Sequence, residues 1–170
     1  MSPTRKAVLT GVVSLAVVMA AVPAAFAVLH GQNASPNCVR NQLGVRPNGS
    51  NGAAGTIRNA WVFTNLSKQT CRLVGYPGMQ LYGKAGRPFP TIVKRTLPPG
   101  PATVTLSPGG SGTFFSSYSD VPSGNAPCTM SRVAAITPPN ATVSLFIPAQ
   151  LVPCRGIVNV SAVRAGVHRP

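Results

Sequence analysis

Punctuation constrains this chain more than any other feature. It holds 18 prolines and 17 glycines, and from residue 38 onward its apolar runs are short and end at Pro, Gly, Asn or Ser. No segment keeps a 3.6-residue apolar period over the length a helix needs. The residues therefore predict strands, at 39–45, 56–64, 71–74, 78–82, 91–95, 102–106, 113–118, 132–137, 142–147 and 156–163. The clearest is TIRNAWVFTN, where Ile57, Trp61 and Phe63 share one face and Asn59 is a polar exception. VTLSPGGSGTFFSSYS (104–119) reads as strand, Gly-rich hairpin turn and strand, and ITPPNATVSLFIP (136–148) repeats that grammar. Turn signals about every ten residues argue for an all-β fold, an antiparallel immunoglobulin-like β-sandwich. Most prolines fit loops and strand edges, where no backbone N–H is needed. Residues 87–102 are the least determined: either an edge strand flanked by polyproline-like loops, or an excursion covering one end of the sandwich.

The N-terminus reads as an export signal. Arg5 and Lys6 precede an uncharged Ala/Val-rich run, Pro23 breaks it, and Ala25-Phe26-Ala27 is a small-x-small cleavage site. Residues 7–29 are also long enough to span a bilayer uncleaved, but the proline and Ala-x-Ala favour removal. The expected organisation is a signal peptide over 1–27, a flexible leader over 28–37 and a single domain over 38–170. That makes the protein secreted or envelope-associated, with no stable membrane anchor after cleavage.

Four cysteines in an exported chain predict two disulfides. Three pairings are open; Cys38–Cys71 and Cys128–Cys154 are preferred because each closes a modest loop. The stretch TNLSKQTCRLVGYPGMQLYGKAG (64–86) looks most like a site, with Cys71 as nucleophile and Tyr76 as acid. A catalytic Cys71 would need a histidine partner, and the only two histidines are His30, in the leader, and His168, near the end. A disulfide cysteine is the better reading. Tyr76-Pro77-Gly78 is turn chemistry, with the glycine expected at positive φ.

This stretch also carries a family resemblance. T-N-x-S-x-x-x-C-x-L-x-G-Y-P-G (64–78), L-S-P-G-G-S-G (106–112), and the later pattern of Cys128, Pro138, Pro139, Cys154 and Gly156 resemble an exported actinobacterial family, domain of unknown function 4232. The likeness runs from about Cys38 to Val163. It implies a secreted or envelope-associated β-sandwich with paired cysteines, and no catalytic residue to carry over. Many members of that family resemble lipoproteins or carry anchors, whereas this chain lacks the lipid-attachment cysteine.

Most catalytic chemistry lacks its residues. Asp120 is the only side-chain carboxylate, so a two-carboxylate hydrolase is excluded, and a Ser-His-Asp triad would have to pair Asp120 with a histidine from the periphery. Asp120 itself reads as a turn or Asx cap. Two distant histidines, one carboxylate and oxidised cysteines provide no metal site, and no cofactor is implied. The formal charge of +14 falls by two on loss of Arg5 and Lys6. The remaining cations are dispersed, and only Lys94-Arg95 forms an adjacent pair, which makes these two the candidate anion contacts. Export argues against nucleic acid as the partner. The expected function is a non-catalytic secreted or envelope-associated protein that meets an anionic cell-envelope polymer or a partner protein. The alternative is a small secreted enzyme with an unrecognised site, which a polar pocket joining Asp120 to a histidine would reveal.

Overall fold

Side-chain alternation in TIRNAWVFTN sets the centre of the fold. In the computed structural model, which describes residues 34–170, these residues form β2 (Thr56–Asn65), with Trp61 and Phe63 turned inward and buried. The expected signal peptide and His30 lie outside the described residues. The other strands are β1 (Leu43–Ala53), β3 (Cys71–Val74), β4 (Gly78–Tyr82), β5 (Ile92–Leu97), β6 (Thr103–Leu106), β7 (Ser111–Ser119), β8 (Val133–Thr137), β9 (Leu145–Pro148), β10 (Ile157–Ser161) and β11 (Arg164–Ala165). They make three sheets: β1-β2-β7-β10-β5 with β11 also paired to β7, a two-stranded β3-β6, and β4-β8-β9. Among the described strands all pairings are antiparallel except β5 with β10, which is parallel. The least determined segment is thus in part an edge strand, and its Pro88 bridges to Tyr82 beside β4.

One hydrophobic cluster draws on all three sheets. It includes Trp61, Phe63 and Phe114 from the large sheet, Leu73 and Leu106 from the second, and Leu81 and Ile136 from the third. Phe114 stacks on Phe63 at 5.4 Å and on Trp61 at 6.4 Å between ring centroids. Burying side chains of this size stabilises by roughly 1.5–3 kcal/mol each. Trp61 keeps its polar atom satisfied by donating from Nε1 to Ser116 Oγ at 2.8 Å. Asn59, the polar exception, is buried with its Nδ2 unpartnered among the described residues.

The first strand departs from expectation. Residues 40–42 form a 3₁₀ turn, and the strand runs on through Arg46-Pro47-Asn48-Gly49-Ser50, a composition that reads as loop. It is an edge strand, where a missing N–H is tolerated, and a register shift between Pro47 and Ser50 accommodates the proline. The turn into β2 is Ala54-Gly55, with φ of 48° and 72°. Two central residues at positive φ are the type I′ hairpin geometry, here without its usual Asn-Gly or Asp-Gly signature.

The expected strand at 156–163 is broken. Ala162 N–H donates to Pro99 O and Val163 N–H to Gly75 O, so these two residues leave the ladder, and the chain rejoins β7 as β11. The Gly-rich turn at 107–110 forms with Gly110 N–H donating to Ser107 O at 2.8 Å. It is not a hairpin, however: β6 pairs with β3 and β7 with β2, so the turn carries the chain from one sheet to another. The turn expected at Gly78 is displaced as well. Gly78 already belongs to β4, and the glycine at positive φ is Gly75, at 104°.

Both disulfides form as preferred, Cys38–Cys71 and Cys128–Cys154. Around the first, Cys38 N–H donates to Arg72 O and Arg72 N–H to Pro36 O. Residues 36–38 are therefore laid along β3.

Candidate functional site

Within the 64–86 stretch, which looks most like a site, residues 65, 71 and 73 are buried in the scaffold. Cys71 is fully buried in its disulfide, and Tyr76 packs half-buried against the core. Asn65 is buried at the end of β2. Its Nδ2 donates to Gln69 O at 2.7 Å and to Leu106 O at 3.0 Å, while its Oδ1 accepts from Ser67 N–H and Oγ–H at 3.0 and 2.8 Å. Its backbone N–H donates to Gly110 O, and Gly109 N–H donates to its carbonyl. This single side chain holds together both sequence blocks, 64–78 and 106–112.

Gly156 has a similar explanation. Its φ is 66°, and a Cβ there would overlap the Pro90 carbonyl. That close approach lets Ile92 N–H donate to Gly156 O and start the parallel pairing of β5 with β10.

Asp120 and His168 are not brought together. Asp120 follows the end of β7, where its N–H donates to Gly55 O. The side chain that shapes this turn is Ser119, whose Oγ accepts from Val121 N–H at 3.3 Å. His168 sits by the start of β7, its N–H donating to Thr113 Oγ1 at 3.1 Å and its Nε2 2.7 Å from Ala165 O. Thr113 and Asp120 are seven residues apart on an extended chain, about 23 Å. A depression of about 590 Å³ is walled by residues 47–51 with Arg169 and Pro170, and contains neither group. Tyr118 is buried, which pushes its phenol above the ordinary value. The nearby Asp120 carboxylate adds to that shift, and the backbone of Val152 opposes it. Among the described residues no group of three His, Cys, Asp or Glu could hold a metal ion, and no helix is long and apolar enough to cross a membrane.

Lys94 and Arg95 are both exposed on β5, but adjacent strand residues point to opposite faces. Lys94 aligns with Asn159, Asn159 with Ser117, Ser117 with Arg58, and Arg58 with Asn51. That row lies on the face of the large sheet turned away from the core. A second row on the same face runs Arg46, Val62, Thr113, Arg164. Between the rows lies Phe115, 2% exposed. Arg58 Cζ stands 4.3 Å and Arg164 Cζ 5.3 Å from its ring centroid. Both arginines are half-buried, and each has a buried Nε without a hydrogen-bond partner among the described residues.

Neither Arg58 nor Arg164 was singled out from the sequence. The signal was nonetheless there: Phe114 and Phe115 are adjacent in a strand and must face opposite ways. One fills the core, and the other needs cover outside it, which arginine stems and guanidinium planes supply.

The class is a predominantly antiparallel β protein with two disulfides. The family model for a domain of unknown function, DUF4232, matches residues 38–166, and the chain belongs to that family. No curated protein and no solved structure matches it.

Proposed function

We propose that the chain is a non-catalytic, exported protein of the cell envelope that binds anionic polymers through the outer face of its large sheet. In this reading residues 38–170 are one domain, and the sheets close on their shared core as an immunoglobulin-like sandwich. The observation that carries the function is the collection of Arg46, Arg58, Lys94 and Arg164 on one sheet face. The only side-chain carboxylate in the sequence, Asp120, lies beyond the end of β7. A face of one sign attracts polyanions by counterion release and long-range steering, without a shaped pocket.

Lys94 contributes to this face and Arg95 does not, because strand alternation separates them. Chromatography of the exported protein on an acidic polysaccharide and on a neutral one tests the reading. Retention on the acidic matrix alone, lost as salt approaches physiological strength, supports it. Equal behaviour on both matrices contradicts it. N-terminal sequencing of the protein from culture fluid tests export: a start at Val28 is expected, and a start at Met1 or Ser2 contradicts cleavage.

A further inference from the structure

Two guanidiniums share one aromatic ring on that face, and this arrangement asks for a ligand more specific than diffuse charge. From their distances to the Phe115 centroid, the Arg58 and Arg164 Cζ atoms are at most about 10 Å apart, close enough to repel in half-buried surroundings. The ring offsets part of that repulsion, since each cation meets its negative face. Each Nε is buried without a partner, so the edge left to a ligand is the pair of terminal nitrogens on each fork.

We propose that Arg58 and Arg164 form a clamp for one phosphodiester group of a linear phosphate-bearing polymer, an assignment that rests on the anionic-polymer reading above. Charge-assisted bonds to opposite oxygens of one phosphoryl group would set two guanidinium carbons roughly 8 Å apart, within that limit. Each of the two non-bridging oxygens of a phosphodiester accepts hydrogen bonds over a cone about its P–O bond, so two forks entering from different strands can each bond one of them. A carboxylate accepts near its own plane, which suits one coplanar fork and not a second entering at an angle. Lys94 stands three strand spacings from Arg58 in the same row, about 14 Å, and meets a later phosphate as a point charge.

The test measures affinity of the whole mature protein for a soluble glycerol-phosphate oligomer and for polygalacturonate of matched charge. Three double variants are compared: R58Q/R164Q, R58K/R164K, and K68Q/K84Q, which removes two exposed charges elsewhere. The clamp predicts a loss of about tenfold or more for the oligomer in both arginine variants, because lysine keeps the charge but lacks the fork. It predicts no more than about a threefold loss in K68Q/K84Q. For polygalacturonate, whose carboxylates engage one fork at most, R58K/R164K should lose no more than about threefold. If R58K/R164K retains wild-type affinity for the oligomer, the clamp is overturned while binding by the basic face stands. If the wild type binds neither polymer at low salt, both readings fall. The lysine variant preserves side-chain length and charge, so its thermal midpoint serves as the check that the sheet is intact.

Discussion

The side chain of Asn65 donates a hydrogen bond to the backbone carbonyl of Leu106 across 3.0 Å of protein interior. The two residues are 41 positions apart, and their contact fixes where β2 ends relative to β6. A leucine, branched like asparagine but without hydrogen-bonding atoms, in place of Asn65 would remove its bonds to the Gln69 and Leu106 carbonyls and take the acceptor from Ser67 N–H, while Gln69 O keeps Ser67 Oγ–H. Stranded buried polar groups cost about 1–3 kcal/mol each, less where water reaches them. Asn65→Leu should therefore lower unfolding free energy by about 2–4 kcal/mol in urea titration. A loss below about half a kcal/mol would mean that the block is held by its backbone alone.

Most of this architecture was legible in the residues because Pro and Gly mark where strands stop, and alternation marks which face is buried. TIRNAWVFTN and its inward Trp61 and Phe63 were clear for that reason. What was hidden depended on long-range partners. The continuation of β1 through Pro47 to Ala53 is specified by β2, not by its own composition. The break at Ala162-Val163 exists because Pro99 and Gly75 take those N–H groups. The parallel pairing of β5 needs Gly156 against Pro90, two segments distant in sequence. At the candidate site, Lys94-Arg95 drew notice through adjacency in sequence, which in a strand means opposite faces. Arg58 and Arg164, 106 positions apart, become neighbours only through β7.

The disulfides should contribute separately. Cys38–Cys71 and Cys128–Cys154 close loops of 33 and 26 residues, which corresponds to about 3.5 kcal/mol each in the chain-entropy account. Cys→Ser pairs at either bridge should lower stability by that order, and losing both by more than either alone. Non-reducing peptide mapping of the native protein should return those two linkages. A Cys38–Cys154 peptide would contradict the pairing.

Ala54 occupies a left-handed turn position at φ 48°, strained for an L residue other than Asn or Asp. Ala54→Asn supplies the usual type I′ residue next to Gly55 and should stabilise the β1–β2 hairpin by about 0.5–1 kcal/mol. Thermal unfolding measures it, and a lower midpoint would show that the turn geometry is otherwise.

Tyr118 should set part of the alkaline limit. Burial raises its phenol above 10.0 in the folded state, so the unfolded chain loses this proton first as pH climbs. Stability from this group is complete below pH 10 and declines as pH rises from there through the raised folded value. Tyr118→Phe, which cannot ionise, should unfold less steeply with pH in that window. Parallel pH curves for the two proteins would contradict the assignment.

The salt dependence of binding separates anion capture by one sheet face from attraction to net charge. Affinity for a glycerol-phosphate oligomer is measured over a range of salt for the wild type, for R46Q/R58Q/K94Q/R164Q, and for K68Q/K84Q/R87Q/R132Q. Both variants lose four charges, but only the first loses them from the outer face of the large sheet. In the wild type log affinity should fall linearly with log salt, with a slope of magnitude roughly 2–3 if Arg58 and Arg164 share one phosphate and Arg46 and Lys94 meet one each. That slope should collapse in the first variant and persist in the second. Equal slopes in the two variants would contradict it, because binding would then follow net charge and not this face.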